Sequence, residues 1–265
     1  MRLVINIKPL LKLIVTLSVY GICIFGIAKL QKPQLKAINS SSSKESYLME
    51  EKIKYANINL LKKMPSFGFD NLISDLAYLQ FLQYFGDGEA REITGYSVSS
   101  DYFKTIVEKD PRFVRAYFLS APASSIFAGK PEETVKTLEV ALKFVTPNLH
   151  PDSYYLWVYK AVDEMMLLDK VESAKKSYEM AFKWSEQINT ERSRKSAKNI
   201  KTTIEHINNN PNSTVARIGA WSLILSSTND AKTQQKALEK IEKLGGKMIL
   251  SPDGQVNIKV PENTI

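Results

Sequence analysis

The sequence predicts an all-α fold: a solenoid of antiparallel helix pairs, with one transmembrane helix at the N-terminus and a small β-hairpin at the C-terminus. Three observations predict it. An uncharged run, Leu13 to Ala28, opens the chain between lysines. From about residue 44 onward, apolar residues recur at spacings of three and four, with prolines between such segments and no sustained alternation until the last twenty residues. Within that helical stretch, Ala174, Tyr178 and Ala181 set small, aromatic and small side chains on one helix face.

The apolar run is flanked by Arg2, Lys8 and Lys12 before it and Lys29, Lys32 and Lys36 after it. A bilayer core about 30 Å thick needs roughly 20 helical residues. Leu10 to Leu30 meets that length if Lys12 and Lys29 extend to opposite headgroup layers. A cleaved signal peptide is the competing reading, but Gly26-Ile27-Ala28-Lys29 makes a poor cleavage site. Cys23 lies deep in the run and lacks the small residue before it that a lipoprotein box needs, so it reads as a small apolar residue in a membrane helix. Basic residues are balanced across the span, and the free amino group tips the expectation to an exported C-terminal domain. These first 36 residues hold six of the eight excess positive charges, leaving +2 for the remainder. The basic stretch Arg192, Arg194, Lys195, Lys198 and Lys201 spreads over several helix faces without interleaved aromatics, which argues for solvated surface and against nucleic acid.

The expected organisation is an anchor over 1–32, a polar spacer over 33–44, helical repeats over 45–186, further helices over 187–246 and a hairpin with its tail over 247–265. INSSSSK in the spacer has too little apolar surface to fold. A first helix is expected from Lys44 to about Lys63, broken by Pro65 and Gly68.

The segment Tyr154–Glu186 resembles a tetratricopeptide repeat, a helix pair of about 34 residues. Ala174, Tyr178 and Ala181 match the family's second helix, Asp169 stands at the usual turn glycine, and Trp157 is near the expected early aromatic. Phe113–Thr146 is similar, with Tyr117, Ala121, Gly129 at the turn, Leu138 and Ala141; Pro122 departs from the pattern and predicts a kink. A degenerate copy lies over Asn71–Pro111, with Asp70 as expected N-cap, the helix NLISDLAYLQFLQYF, a long loop GDGEAREITG, and Tyr102, Phe103 and Ile106 on the second helix. Beyond Glu186 the pattern fades into helices over 193–208, from Ser213 or Thr214, and over 231–244 with Asn229 or Asp230 as cap. KMIL, SPDG and QVNIKV then read as strand, turn and strand, expected to cap the solenoid's end. The N-terminal run, GFDNLISDLAYLQFLQYFGD and the terminal hairpin together are also similar to membrane-anchored repeat proteins of cyanobacteria; that likeness implies an architecture and no activity.

No nucleophile elbow, P-loop or dinucleotide fingerprint is present, and Gly86-Asp87-Gly88 reads as a plain turn. His150 and His206 have no carboxylate or thiol at ligand spacing, so neither metal nor cofactor is expected. Asp163 and Glu164 are adjacent on a helix and point about 100° apart, which reads as solvated surface and not as a catalytic pair. The resemblance implies a concave binding face built from the first helices. Its exposed lining is expected to be Gln80, Gln83 and Tyr84 in the first unit and Tyr159, Asp163 and Met166 in the third, with Leu119, Ala123 and Ile126 between. Packing of several of these against the N-terminal helix is the alternative. Such a groove suits an extended peptide or an amphipathic helix. The expected function is therefore a membrane-held scaffold or adaptor for a protein partner. An anchored subunit of an envelope enzyme and a self-associating homo-oligomer are the alternatives.

Overall fold

A computed structural model of the protein describes Lys12, residues 16–26, Lys29 and residues 43–209, 214–250 and 256–259. The chain divides into two compact units, Met1–Tyr47 and Leu48–Ile265. In the first, residues 16–26 form a helical stretch, α1, whose side chains are exposed up to Phe25. Among the described residues no helix is long and apolar enough to cross a membrane. The ends of the expected span, the spacer up to residue 42 and the SPDG turn lie outside the described residues. Helix α2, Lys44–Lys63, has the bounds that the sequence predicts: Ser43 precedes it and accepts from the Ser46 amide, Glu45 sits in its first turn and Lys62 and Lys63 in its last.

The second unit is built of helix pairs. Helix α3 (Asp70–Gly86) packs on α5 (Ser99–Lys109), with the short α4 (Gly88–Thr94) between them. Next, α6 (Val114–Tyr117) runs into a π-helical turn, Ala121–Phe127, which packs on α7 (Pro131–Ala141). Then α8 (Tyr154–Val162) runs into a second π-helical turn, Asp163–Leu167, and packs on α9 (Val171–Ile188). Each second helix also touches the next first helix, α5 meeting α6 and α7 meeting α8, and α10 (Glu191–Asn209) lies along α9. Close approach comes from small side chains: Ala141, Ala161, Ala174 and Ala181 are fully buried. Aromatics fill the spaces between, with Phe81 ringed by Tyr78, Phe85, Tyr102 and Phe103 at centroid distances of 4.6–6.3 Å.

Gly129 and Asp169 both take φ of 60°. Around each, the same two bonds close the turn: the Ala128 and Leu168 amides donate to the Ala123 and Asp163 carbonyls, and the Lys130 and Lys170 amides to those of Ser124 and Glu164. The expected kink at Pro122 is thus a π turn that recurs without proline at Asp163–Leu167. Pro122 lies at the second position of the first of these two turns. Asp70 is not the expected N-cap: Phe69 holds that place without a side-chain bond, and Asp70 lies in the first turn, 3.5 Å from Lys109.

Helices α11 (Thr214–Ser227) and α12 (Ala231–Lys243) pack on each other, and α11 touches both π turns. Asp230 caps α12, accepting from the Thr233 amide at 2.8 Å. Leu167, Ile218, Trp221, Ile224, Ala237 and Ile241 form a second apolar cluster, separate from the main core. Strands β1 (Lys247–Leu250) and β2 (Val256–Lys259) pair antiparallel, Lys247 opposite Lys259. Ile258 joins the second cluster, so the hairpin rests on the α11–α12 pair.

Candidate functional site

The structure separates the predicted lining residues. Gln83 is exposed; Gln80, Leu119 and Tyr159 are half-buried; Ala123 is buried. Tyr84, expected on the surface, is 1 % exposed because α2 covers it. Its hydroxyl donates to Glu51 at 2.9 Å and accepts from the Val98 amide at 3.3 Å, and the Arg91 guanidinium lies 3.7 Å from its ring centre. Burial raises the phenol's pKa far above its ordinary value, with Arg91 opposing and Glu51 adding to the shift. Arg91 is itself buried, bonding Glu51 at 2.8 Å and the Gly95 carbonyl at 2.7 Å. The long loop of the first unit therefore folds as α4, capped by Asp87, to bring Arg91 beneath α2.

Met166 and Ile126 pack against the second apolar cluster, so the α11–α12 pair covers that end of the first-helix face. Polar contacts fasten the pair over successive turns. Lys236 donates to the Gly129 carbonyl at 2.8 Å, and Arg217 pairs with Asp169 at 2.7 Å. A Cβ on Gly95 would come 2.7 Å from the Cβ of Asp230, and one on Gly129 2.7 Å from Thr233 Cγ2.

Asp163 and Glu164 are 3 % and 2 % exposed, which corrects the reading of both as solvated and of Asp163 as groove lining. They do diverge. Glu164 bonds Lys160 at 2.5 Å and Ser177 at 2.6 Å within its own helix pair. Asp163 reaches back to Ser125 of the preceding π turn, and Ser125 also bonds Thr134 Oγ1 at 2.8 Å. Ser125 donates to Asp163, and a hydroxyl oxygen keeps lone pairs with which it can accept from Thr134. Burial favours the neutral carboxyl and pushes the Asp163 pKa up to about 8; Ser125 opposes the shift, and Glu132 and Glu164 add to it.

A cleft of about 280 Å³ is lined by Glu51, Lys52, Tyr55, Ser97, Val98, Asp101 and Lys130. Glu51 is bonded to Arg91, Asp101 pairs with Lys104 at 3.5 Å, and Lys130 donates to the Ser97 carbonyl, so three of its four charged groups, all but Lys52, are already engaged. Among the described residues no three His, Cys, Asp or Glu side chains are placed to hold a metal ion.

The conspicuous open surface is on α3. Leu72, Leu76 and Leu79 are 65 %, 42 % and 57 % exposed, and Gln83 continues the line at the same spacing of four, three and four. The opposite face buries Ile73, Ala77, Phe81 and Tyr84. A helix apolar on both faces belongs in an interior, yet one face of α3 has no cover within the described residues. The signal lies in NLISDLAYLQFLQYF, where Leu72, Leu76 and Leu79 fall on one side of the helix and Ile73, Ala77 and Phe81 on the other.

No protein-family model and no curated protein matches the chain. The site therefore stands on its own geometry.

Proposed function

We propose that the protein is a tetratricopeptide-like helical solenoid, tethered to a membrane by its N-terminal apolar segment, that acts as an adaptor by receiving a helix of another protein on the bare face of α3. The observation that carries this reading is the line Leu72, Leu76, Leu79 and Gln83, open on a helix whose other face is core. Spacing of four and three is the seam along which two helices interlock, each leucine entering a gap between side chains of the partner. Gln83 ends the line with an amide that can fix the partner's register. The predicted concave face contributes less, because α2 takes Tyr84 and the α11–α12 pair takes Ile126 and Met166, leaving Gln80, Leu119 and Tyr159 partly open.

The tether is supported by the uncharged run Leu13–Ala28 between lysines. Holding the domain near a membrane raises its effective concentration toward membrane-bound partners, so a seam of three leucines suffices for capture. Affinity purification of full-length protein from its native membrane, after crosslinking, tests this. A stoichiometric partner that is lost with Leu76→Glu and Leu79→Glu is expected. An unchanged set of co-purifying proteins refutes the reading, and recovery of a second copy alone assigns the face to self-association.

A further inference from the structure

The corner between α2 and α3 carries a separate apolar surface. Leu60, Met64, Phe67 and Phe69 are 66 %, 44 %, 86 % and 67 % exposed, all within ten residues of chain. Phe67 also stands at φ 49°, a left-handed conformation that non-glycine residues rarely adopt. The corner is held in shape: the Phe69 amide donates to the Ser66 carbonyl at 2.8 Å, and Lys109 reaches from α5 to the Met64 carbonyl at 3.3 Å. A strained backbone kept by such bonds, with a bare phenylalanine at its tip, needs an explanation other than packing.

Charge narrows the choice of occupant. The two carboxylates at this corner are each paired, Glu108 with Lys62 at 2.7 Å and Asp70 with Lys109 at 3.5 Å. Exposed Lys63 is left as excess positive charge. The interior of a protein interface excludes lysine, whereas the headgroup layer of a bilayer accepts aromatic rings and lysines side by side. Phenylalanines that protrude, instead of lining a hollow, also suit a deformable layer. We propose that this corner dips into the headgroup layer of an anionic bilayer, Phe67 and Phe69 entering the acyl boundary while Lys63 contacts lipid phosphate. It rests on the membrane tether proposed above and gives the domain a second point of attachment.

The test uses the full chain carrying Phe67→Trp, reconstituted into vesicles of phosphatidylcholine and phosphatidylserine with or without brominated acyl chains. Trp184 and Trp221 are buried and Trp157 half-buried, so the parent protein supplies the background. Co-flotation reports the tether, and quenching of the added emission reports the corner. Flotation with loss of most of the added emission in brominated vesicles, and weaker quenching when Lys63→Glu is combined, is the expected result. Flotation without quenching overturns the corner and leaves the tether standing, while failure to float overturns both. A crosslink from position 67 to a second copy or to another protein would likewise sink the lipid assignment.

Discussion

Asp163 shows how a single residue ties two helix pairs together. Its carboxyl sits between the π turns, bonded to Ser125, with no cation among its bonded partners. Its folded pKa of about 8 lies above the ordinary 3.8, so the folded chain binds the extra proton between those values. The stability this group contributes is whole below about pH 4 and is lost as pH rises through 8. Asp163→Asn, whose Oδ1 keeps an acceptor for the Ser125 hydroxyl, should therefore leave melting unchanged near pH 4 and raise Tm at pH 9 by at least roughly 2–4 °C. A parent Tm that climbs from pH 5 to pH 9, measured by differential scanning calorimetry, would refute the neutral carboxyl. Glu51 serves instead as the ion-pair partner of a buried cation, Arg91. Glu51→Ala leaves Arg91 buried with only the Gly95 carbonyl, and urea unfolding should show a loss of about 3–5 kcal/mol. A loss below about 1 kcal/mol would place Arg91 in reach of water.

At the scale of elements, the repeated turn at Gly129 and Asp169 is the unit on which the C-terminal pair is fitted. Gly129→Ala adds a Cβ 2.7 Å from Thr233 Cγ2 at φ 60°, and should destabilise by at least about 1–2 kcal/mol. Thr233→Ser removes the opposing methyl and keeps the hydroxyl bonded to Asp230, so the double variant should recover the steric part but not the conformational part. Equal losses in single and double variants would mean that the contact carries no energy. These local features were legible in the sequence. The bounds of α2, the turn positions Gly129 and Asp169, the cap at Asp230 and the two strands follow from caps, breakers and left-handed positions that act within a few residues. Pro122 was legible as an irregularity but not as a π turn, because the second copy forms the same turn with Val162 in the corresponding place.

At the scale of the whole molecule, burial was less legible. Tyr84 reads as lining until α2 is laid over it, and its bond to Glu51 spans 33 positions of chain. Met166 and Ile126 read as open until the α11–α12 pair arrives, pinned by a bond from Lys236 to Gly129 across 107 positions. Such choices depend on which distant element wins a surface, and spacing along one helix carries no record of that. The bare face of α3 is a case of the same kind: its leucines on one side and Ile73, Ala77 and Phe81 on the other make both sides apolar, but only the packed structure says which side is left uncovered.

The central claim is that this face receives another protein's helix. Photo-crosslinking from single positions in the full-length protein, in its native membrane, tests it most directly, with the reactive group at Leu76, at Leu79 and, as control, at exposed Lys198 on α10. One defined adduct of matching mass is expected from positions 76 and 79, and none from 198. No adduct from either leucine, or the same diffuse products from all three, would contradict it.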